Sequence, residues 1–220
     1  MGYTVIRKKR KTLGIRISET GEVLVYAPLK MSFKTIETLV LSKEKWIKES
    51  KDKLIRYETG HKINFLGKEY NLNNIKVFEN KTNIELTESK FNVYFGGENP
   101  FPPYSEILDC LYRKYKNDFT KIVIDRISAI SDEMGVRPNK VNVKNQRTIW
   151  GSCSSTNNIS INFKLSLAPI EILDYVILHE LCHIIHKNHS RDFWAALETY
   201  MPDYKTKRNW LKANSHKSLF

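Results

Sequence analysis

The sequence has little cysteine and no apolar run long enough to cross a membrane. Its three cysteines, Cys110, Cys153 and Cys182, include no closely spaced pair, which argues against a disulfide framework and favours a reducing compartment. Charged residues precede any apolar core at the N-terminus, so a signal peptide is not expected. No apolar stretch approaches about 20 residues, the length of a membrane-spanning helix. These absences predict a cytoplasmic protein without membrane contact.

The chain also has no internal repeat, no low-complexity tract and no Walker-type glycine loop. A phosphate-binding loop of the P-loop type is therefore not expected. Of its 220 residues, 41% are hydrophobic. A chain of this length and composition can bury the core of one large domain or two small ones.

Positive charge is in excess and unevenly distributed. Lysine and arginine number 36 against 24 acidic residues, a formal net charge of +12. The densest basic patch is Arg7–Lys11, which could contact nucleic acid or another polyanion. Lysine also protects solvated strand edges from aggregation. The second interpretation is favoured, because no recognisable nucleic-acid-binding motif accompanies the patch.

Residues 175–194, YVILHELCHIIHKNHSRDFW, contain the HExxH arrangement of zinc hydrolases. On a helix, His179 and His183 differ by only about 40° around the axis and about 6 Å along it. Both imidazoles can therefore reach one metal ion. Zinc, which takes about four ligands, is the ion that this arrangement suits. Glu180 is rotated by about 100° from His179. It is poorly placed as a ligand, but it can reach a water beside the metal and accept its proton.

Two further histidines compete for the position of third ligand. His186 lies seven residues beyond His179, about 10 Å along the same helix axis, so its imidazole cannot converge on the same ion. Residues 187–188 are predicted to end the helix, with Asn188 in a left-handed cap, and His189 could then return toward the metal. A pair of hydrogen-bonded core histidines without metal is the simpler alternative. Two downstream carboxylates are the alternative ligands: Asp192 and Glu198.

Hydrophobic periodicity and turn residues predict a small β-rich region with one helix in the first hundred residues. The predicted elements are strands at 3–10, 12–18 and 22–27, a turn at 19–21, a helix from an N-cap at Ser32 to about residue 57 that Gly60 ends, and strands over 63–95 with a hairpin at 65–70. The glycine- and proline-rich residues 96–103 are the best candidate linker. Residues 1–100 and 101–220 are therefore predicted as separate domains.

The second region is predicted to consist of a long helix, a small sheet, the HExxH helix and closing helices. These elements are a helix at 104–133, strands at 141–144, 148–153 and 159–163, a helix with Pro169 at its first position, and helices at 190–200 and 204–212. The fold class predicted is α+β, a minimal zincin-like metallopeptidase domain preceded by the small β-rich region.

The segment before the HExxH helix is a candidate for substrate binding. Residues 146–153, QRTIWGSC, could form an edge strand to which an extended peptide adds. Alternatively, Trp150 packs in a core hairpin and Gly151 marks a bulge. Cys153 as a nucleophile is a poor alternative, since a metal site already explains hydrolysis. Four side chains are candidate stabilisers of an oxyanion: Arg147, His186, Tyr200 and Tyr204.

Four segments carry a resemblance to a known family: WGSCSS at 150–155, INFKLSLAP at 161–169, LDYVILHELCHIIHKNHSRDFW at 173–194 and MPDYKTKRNWL at 201–211. They resemble the YgjP-like zinc metallopeptidase domain, a relative of the WLM and SprT-like metallopeptidases, and residues 10–32 are similar to its opening strands. The resemblance implies one Zn2+ per chain, held by His179, His183 and His189, with Glu180 as the catalytic base. It also implies that Trp150, Gly151 and Ser152 lie near the site. These three residues and Arg147 are the candidates for substrate binding.

Three functions remain open. The first is a zinc-dependent metallopeptidase that acts on polypeptides. The second is a metal-dependent nucleoside triphosphate pyrophosphatase, an activity described for members of this family, in which a basic face would bind phosphate. The third is a nucleic-acid-associated module with a structural zinc and weak contact through the basic N-terminal segment. Glu180 argues against the third, because a structural site needs four protein ligands and no base.

Overall fold

The computed structural model of the chain describes residues 2–18, 22–52, 62–78, 81–97, 102 and 104–214. Within these residues the fold belongs to the mixed α+β class, as predicted, with three small sheets and six α-helices. None of the described helices combines the length and the apolar character that crossing a bilayer requires.

The N-terminal sheet packs against two helices. Its strands are β1 (Thr4–Lys8), β2 (Gly14–Ile17) and β3 (Val23–Pro28), in the order β1-β3-β2, with β3 parallel to β1 and antiparallel to β2. Every second residue of β3 is buried against α1 (Phe33–Leu41) and α2 (Glu44–Asp52). The three predicted strands are confirmed, whereas the predicted turn at 19–21 lies outside the described residues.

The prediction of one continuous helix from Ser32 to about residue 57 is wrong, because the segment forms two helices. Its N-cap is confirmed, because Ser32 Oγ accepts a hydrogen bond from the backbone N–H of Thr35 at 3.1 Å. The helix ends at Leu41. The hydroxyl of its C-cap residue, Ser42, donates to the carbonyl of Leu39 at 2.7 Å and so competes with continued helical bonding. A second helix, α2, begins at Glu44. The predicted end of the helix at residue 57 and Gly60 lies outside the described residues.

The middle of the chain forms a four-stranded sheet. Its strands are β4 (Lys62–Phe65), β5 (Lys68–Lys76), β6 (Asn83–Leu86) and β7 (Lys90–Phe95), in the order β4-β5-β7-β6. The predicted hairpin at 65–70 is confirmed. Leu66 and Gly67 both have positive φ, 53° and 77°, as a type I′ turn requires.

The described residues form two hydrophobic clusters. One joins the N-terminal sheet to α1 and α2, from Val23 to Ile47. The other begins at Ile63 in the four-stranded sheet and extends to Leu211. Of the predicted linker at 96–103, only Gly96, Gly97 and Pro102 are among the described residues. The division into domains at 100/101 stays a prediction.

The C-terminal region follows the predicted order of elements. They are α3 (Tyr104–Met134), β8 (Lys140–Lys144), β9 (Gly151–Cys153), β10 (Asn158–Asn162), a 3-10 helix (Phe163–Leu167), α4 (Ile170–Ile185), α5 (Arg191–Tyr200) and α6 (Tyr204–Asn214). The sheet order is β8-β10-β9, with β10 parallel to β8 and antiparallel to β9. Strand β9 therefore lies at the edge of this sheet. Pro169 is the N-cap of α4 rather than its first residue, so the helix begins one residue later than predicted.

The strand predicted at 148–153 is shorter than expected because a buried amide holds the preceding residues in a loop. Asn162 is 1% exposed. Its Nδ2 donates to the carbonyls of Gln146, at 2.9 Å, and Ile149, at 2.6 Å. Its backbone N–H donates to the carbonyl of Trp150 at 2.8 Å. These bonds bring the loop back onto β10, and only residues 151–153 continue as strand β9.

Candidate metal centre

Three histidines converge beside the C-terminal half of α4. Ring nitrogens of His179, His183 and His189, one from each residue, lie within 4.8 Å of one another. The Nε2 atoms of His179 and His189 are 3.0 Å apart. Two nitrogen ligands at about 2.0–2.1 Å from a tetrahedral zinc ion lie about 3.3 Å apart. The arrangement thus has the dimensions of a zinc site, and it is the one such group of histidine, cysteine and carboxylate side chains in the described ranges.

The end of α4 differs from the prediction. The helix ends at Ile185, and His186 is an extended C-cap with φ −116° and ψ 101°. Asn188 is not among the described residues with positive φ, so the left-handed cap predicted there is wrong. The chain instead leaves the helix in an extended conformation at His186, and the following turn brings His189 back to the helix.

The C-cap residue contributes a backbone group rather than its imidazole. The carbonyl of His186 lies 3.0 Å from Nδ1 of His183. A ring that donates from Nδ1 keeps the lone pair of Nε2 for a metal, and such outer contacts orient histidine ligands in metalloproteins. The imidazole of His186 is not part of the cluster, nor are the carboxylates of Asp192 and Glu198.

The electrostatics favour neutral imidazoles. Burial lowers the pKa of His179 to about 3, and the neighbouring His183, His189 and Arg208 act in the same direction. Burial also lowers the pKa of His189. The buried Nδ1 of His179 has no hydrogen-bond partner in the described part of the chain, and its Nε2 faces another histidine. Histidine binds a cation in its neutral form, through a ring nitrogen that carries a lone pair, so the residues fit a metal ion.

Aromatic side chains of α5 and α6 hold the third histidine in place. Phe193 is fully buried, and its ring centroid lies 4.6–4.9 Å from those of all three histidines. Trp194 stacks on His189 at 5.6 Å and on Tyr204 at 5.6 Å. The guanidinium of Arg208 lies 4.6 Å from the centroid of the Trp194 ring. Helical spacing did not single out these supporting residues, although Phe193 and Trp194 stand in the segment that carries the family resemblance.

Glu180 lies between the metal cluster and the edge strand β9. Its side chain is buried, and burial raises the pKa of its carboxyl group to about 7. A Cβ atom built on Gly151 would lie 2.6 Å from Glu180 Oε1 and 2.9 Å from its Cγ. Real Cβ atoms do not approach other atoms so closely, so only glycine leaves room for this carboxylate. The β9–β10 register is regular through Gly151, and the bulge considered from the sequence is therefore wrong.

A cavity of about 290 Å3 opens beside these residues. Trp150 and Gly151, two of the four candidate substrate-binding residues, line it together with His179 and Glu180. Tyr175, four residues before His179 on α4, also lines it, and its ring centroid is 6.1 Å from that of His179. This tyrosine was missed, although a spacing of four places it on the same helical face.

The other candidates lie away from the cavity lining. Ser152 pairs with Ser160 in the sheet, and the carbonyl of Arg147 accepts a hydrogen bond from Lys164 Nζ at 3.3 Å. None of the four side chains considered for oxyanion stabilisation lines the cavity in the described part of the chain. Tyr204, for example, is buried against Trp194.

Comparison with known proteins finds a family model that matches most of the chain. Residues 11–214 match the family model described as YgjP-like, metallopeptidase domain. The crystal structure of the metallopeptidase zymogen of Pyrococcus abyssi abylysin is 20% identical, with a TM-score of 0.39 over 42% of this chain and 93% of that one. The crystal structure of the metallopeptidase zymogen of Methanocaldococcus jannaschii jannalysin is 25% identical, with a TM-score of 0.37 over 41% of this chain and 92% of that one. No curated protein matches the chain.

Proposed function

The chain belongs to the YgjP-like metallopeptidase domain family, and on that basis we propose that it is a zinc-dependent peptidase whose metal is held by His179, His183 and His189. The observation that carries the proposal is the combination of three convergent imidazoles with one buried carboxylate beside them. Three protein ligands leave a fourth position open, which distinguishes catalytic from structural zinc.

Each side chain has a distinct task in peptide hydrolysis. Zinc in such a site supplies a Lewis acid that polarises the peptide carbonyl and makes a water nucleophilic near neutral pH. Glu180 accepts the proton of the attacking water and passes it to the amine that leaves. Gly151 leaves the space in which that carboxylate sits. Phe193 and Trp194 hold the ring of His189 against the cluster.

The edge strand offers a way to bind a polypeptide. Strand β9 pairs with β10 on one side, and no described strand pairs with its other side. An extended substrate could add to this free edge through backbone hydrogen bonds. Gly151 lies on that strand and touches Glu180, so a peptide bound there would pass close to the carboxylate.

The nucleotide alternative has less support from the cavity. A triphosphate substrate needs several lysine or arginine side chains on its phosphate oxygens. Among the described residues that line the cavity, none is a lysine or an arginine. We therefore assign the polypeptide as the substrate class.

A substrate panel tests this function directly. The zinc-loaded chain is expected to cleave an unfolded, fluorescently quenched polypeptide and to release no pyrophosphate from nucleoside triphosphates. Treatment with a zinc chelator should abolish cleavage, and added Zn2+ should restore it, because the metal polarises the carbonyl. Mass spectrometry of the fragments and a pyrophosphate assay provide the readouts. Metal-dependent pyrophosphate release without polypeptide cleavage would refute the assignment.

Replacement of Gly151 by alanine should disturb the carboxylate directly. The added Cβ atom collides with Glu180, and overpacking of this kind typically costs about 1–3 kcal/mol of stability. A shift of about 1 Å in a catalytic group can cost about 10²-fold in rate. We expect a comparable fall in kcat, with zinc content unchanged.

The neighbouring Ser152→Ala is the matched control, because Ser152 does not line the cavity. It should leave kcat and the melting temperature near the wild-type values. When Glu180 has already been replaced by glutamine, Gly151→Ala should cause little further loss of kcat. Full activity of Gly151→Ala alone would show that catalysis does not depend on the position of the Glu180 carboxylate.

A further inference from the structure

A second, larger cavity lies in the N-terminal region. It is a groove of about 600 Å3. Its apolar lining includes Leu13 and Ile15, from β2 and the residues before it, and Leu39 and Trp46, from α1 and α2. Met31 also lines the groove. Leu39 is 39% exposed and Trp46 is 45% exposed, so this apolar lining is open to solvent. Contiguous exposed apolar surface of this kind is typical of a binding site.

The groove runs beside an edge strand. Strand β2 pairs with β3 on one side, and no described strand pairs with its other side. A free strand edge next to apolar pockets is the arrangement by which proteins bind extended peptides. Backbone hydrogen bonds then supply affinity, while the pockets select alternate side chains of the peptide.

The rim of the groove is basic. Lys11 and Lys43 line it, and no acidic residue is among its described lining residues. Lys8 and Lys9 are exposed in the same basic run. Arg7 is engaged within the fold, because its Nη1 donates to the carbonyl of Pro28 at 2.8 Å. The exposed lysines beside the groove complement an acidic partner and disfavour pairing with a second basic edge.

We propose that this groove binds an extended polypeptide segment in which bulky aliphatic side chains are flanked by aspartate or glutamate. The aliphatic side chains would fill the space between Ile15 and Leu39, and the carboxylates would pair with Lys11 and Lys43. Single-stranded nucleic acid fits less well, because its bases stack on several aromatic rings, whereas Trp46 is the one aromatic side chain among the described lining residues. The binding does not depend on the chemistry of the metal centre.

Fluorescence anisotropy of the full chain tests the proposal. The probe is a fluorescein-labelled decapeptide with a Leu-Ile-Leu centre flanked by glutamates, compared with the same peptide carrying lysines instead and with labelled oligo-dT. We expect the acidic peptide to bind at least about tenfold more tightly than the basic one. Leu39→Glu and Lys43→Glu should each weaken its binding at least about tenfold, through repulsion of the acidic flanks.

Two matched controls are available nearby. Leu41 is 57% exposed at the end of α1 but does not line the groove, and Lys45 is exposed outside it. Leu41→Glu and Lys45→Glu should bind the acidic peptide within about twofold of wild type. All four positions are exposed, so the melting temperatures of the variants should equal that of the wild type. Should Leu39→Glu melt early, the comparison of Lys43→Glu with Lys45→Glu remains decisive.

Three results would overturn the proposal. The first is no measurable binding of the acidic peptide to the wild-type chain. The second is equal binding of that peptide by the groove variants and by their controls. The third is binding of oligo-dT that the groove variants lose while the acidic peptide is unaffected, which would identify the groove as a nucleic-acid site.

Discussion

Replacement of Glu180 by glutamine is expected to lower kcat for polypeptide cleavage by about 10²- to 10⁴-fold, the usual contribution of a general acid–base group. Glutamine has almost the shape of glutamate, so it still fits against Gly151. A side chain at position 151 would collide with it, because even a Cβ atom there has no room. Its neutral amide cannot accept the proton of the attacking water. The three histidines are untouched, so the variant should keep its zinc.

The matched control for this variant is Glu171→Gln. Glu171 is an exposed carboxylate in the first turn of the same helix, about 13 Å along the helix axis from Glu180. The Glu171→Gln variant should retain full activity. Cleavage rates measured on a quenched peptide, together with zinc content by mass spectrometry, distinguish the outcomes. Wild-type activity in Glu180→Gln would rule out this residue as the base, and loss of zinc would make its role structural.

His189→Ala should lose the metal and, with it, all metal-dependent activity. Loss of an outer-shell partner of a ligand typically costs about 10–100-fold in metal affinity, and loss of a ligand itself should cost more. His186→Ala is the matched control, three residues earlier. The contact of His186 with His183 uses a backbone carbonyl, which alanine retains, so zinc should stay bound.

Zinc content after dialysis against a weak chelator measures this difference. The wild type and His186→Ala should retain about one equivalent, and His189→Ala should retain almost none. Equal loss in the two variants would contradict the ligand set, as would full retention by His189→Ala.

Local periodicity was sufficient to predict the centre of the site. A spacing of four residues on a helix brings His179 and His183 to one face, and this depends only on helical geometry. Helical geometry also excluded the imidazole of His186 as a ligand, because seven residues separate it from His179 along the axis. The predicted cap at Asn188 was wrong because the end of α4 depends on His186, whose carbonyl faces His183. Local cap preferences contain no information about such a side-chain contact.

Contacts between distant segments did not follow from residue spacing, and only the family resemblance indicated that Gly151 lies near the site. Gly151 and Glu180 are neighbours because β9 passes over α4, and the sequence alone allowed either an edge strand or a bulge at Gly151. The loop before β9 depends in the same way on Asn162. Ser42 ended a helix that apolar spacing would have continued, because its hydroxyl bonds to the carbonyl of Leu39. Each of these depends on a specific pairing that a hydrophobic pattern does not encode.

An anomalous difference map recorded at the zinc absorption edge tests the central claim most directly. Crystals of the wild-type chain grown with Zn2+ should show one peak at about 2.0–2.1 Å from a ring nitrogen of each of His179, His183 and His189, with no fourth protein ligand. Glu180 should lie beside the peak without binding it. A peak elsewhere, no peak at these histidines, or a fourth protein ligand that closes the site would contradict an open catalytic zinc centre.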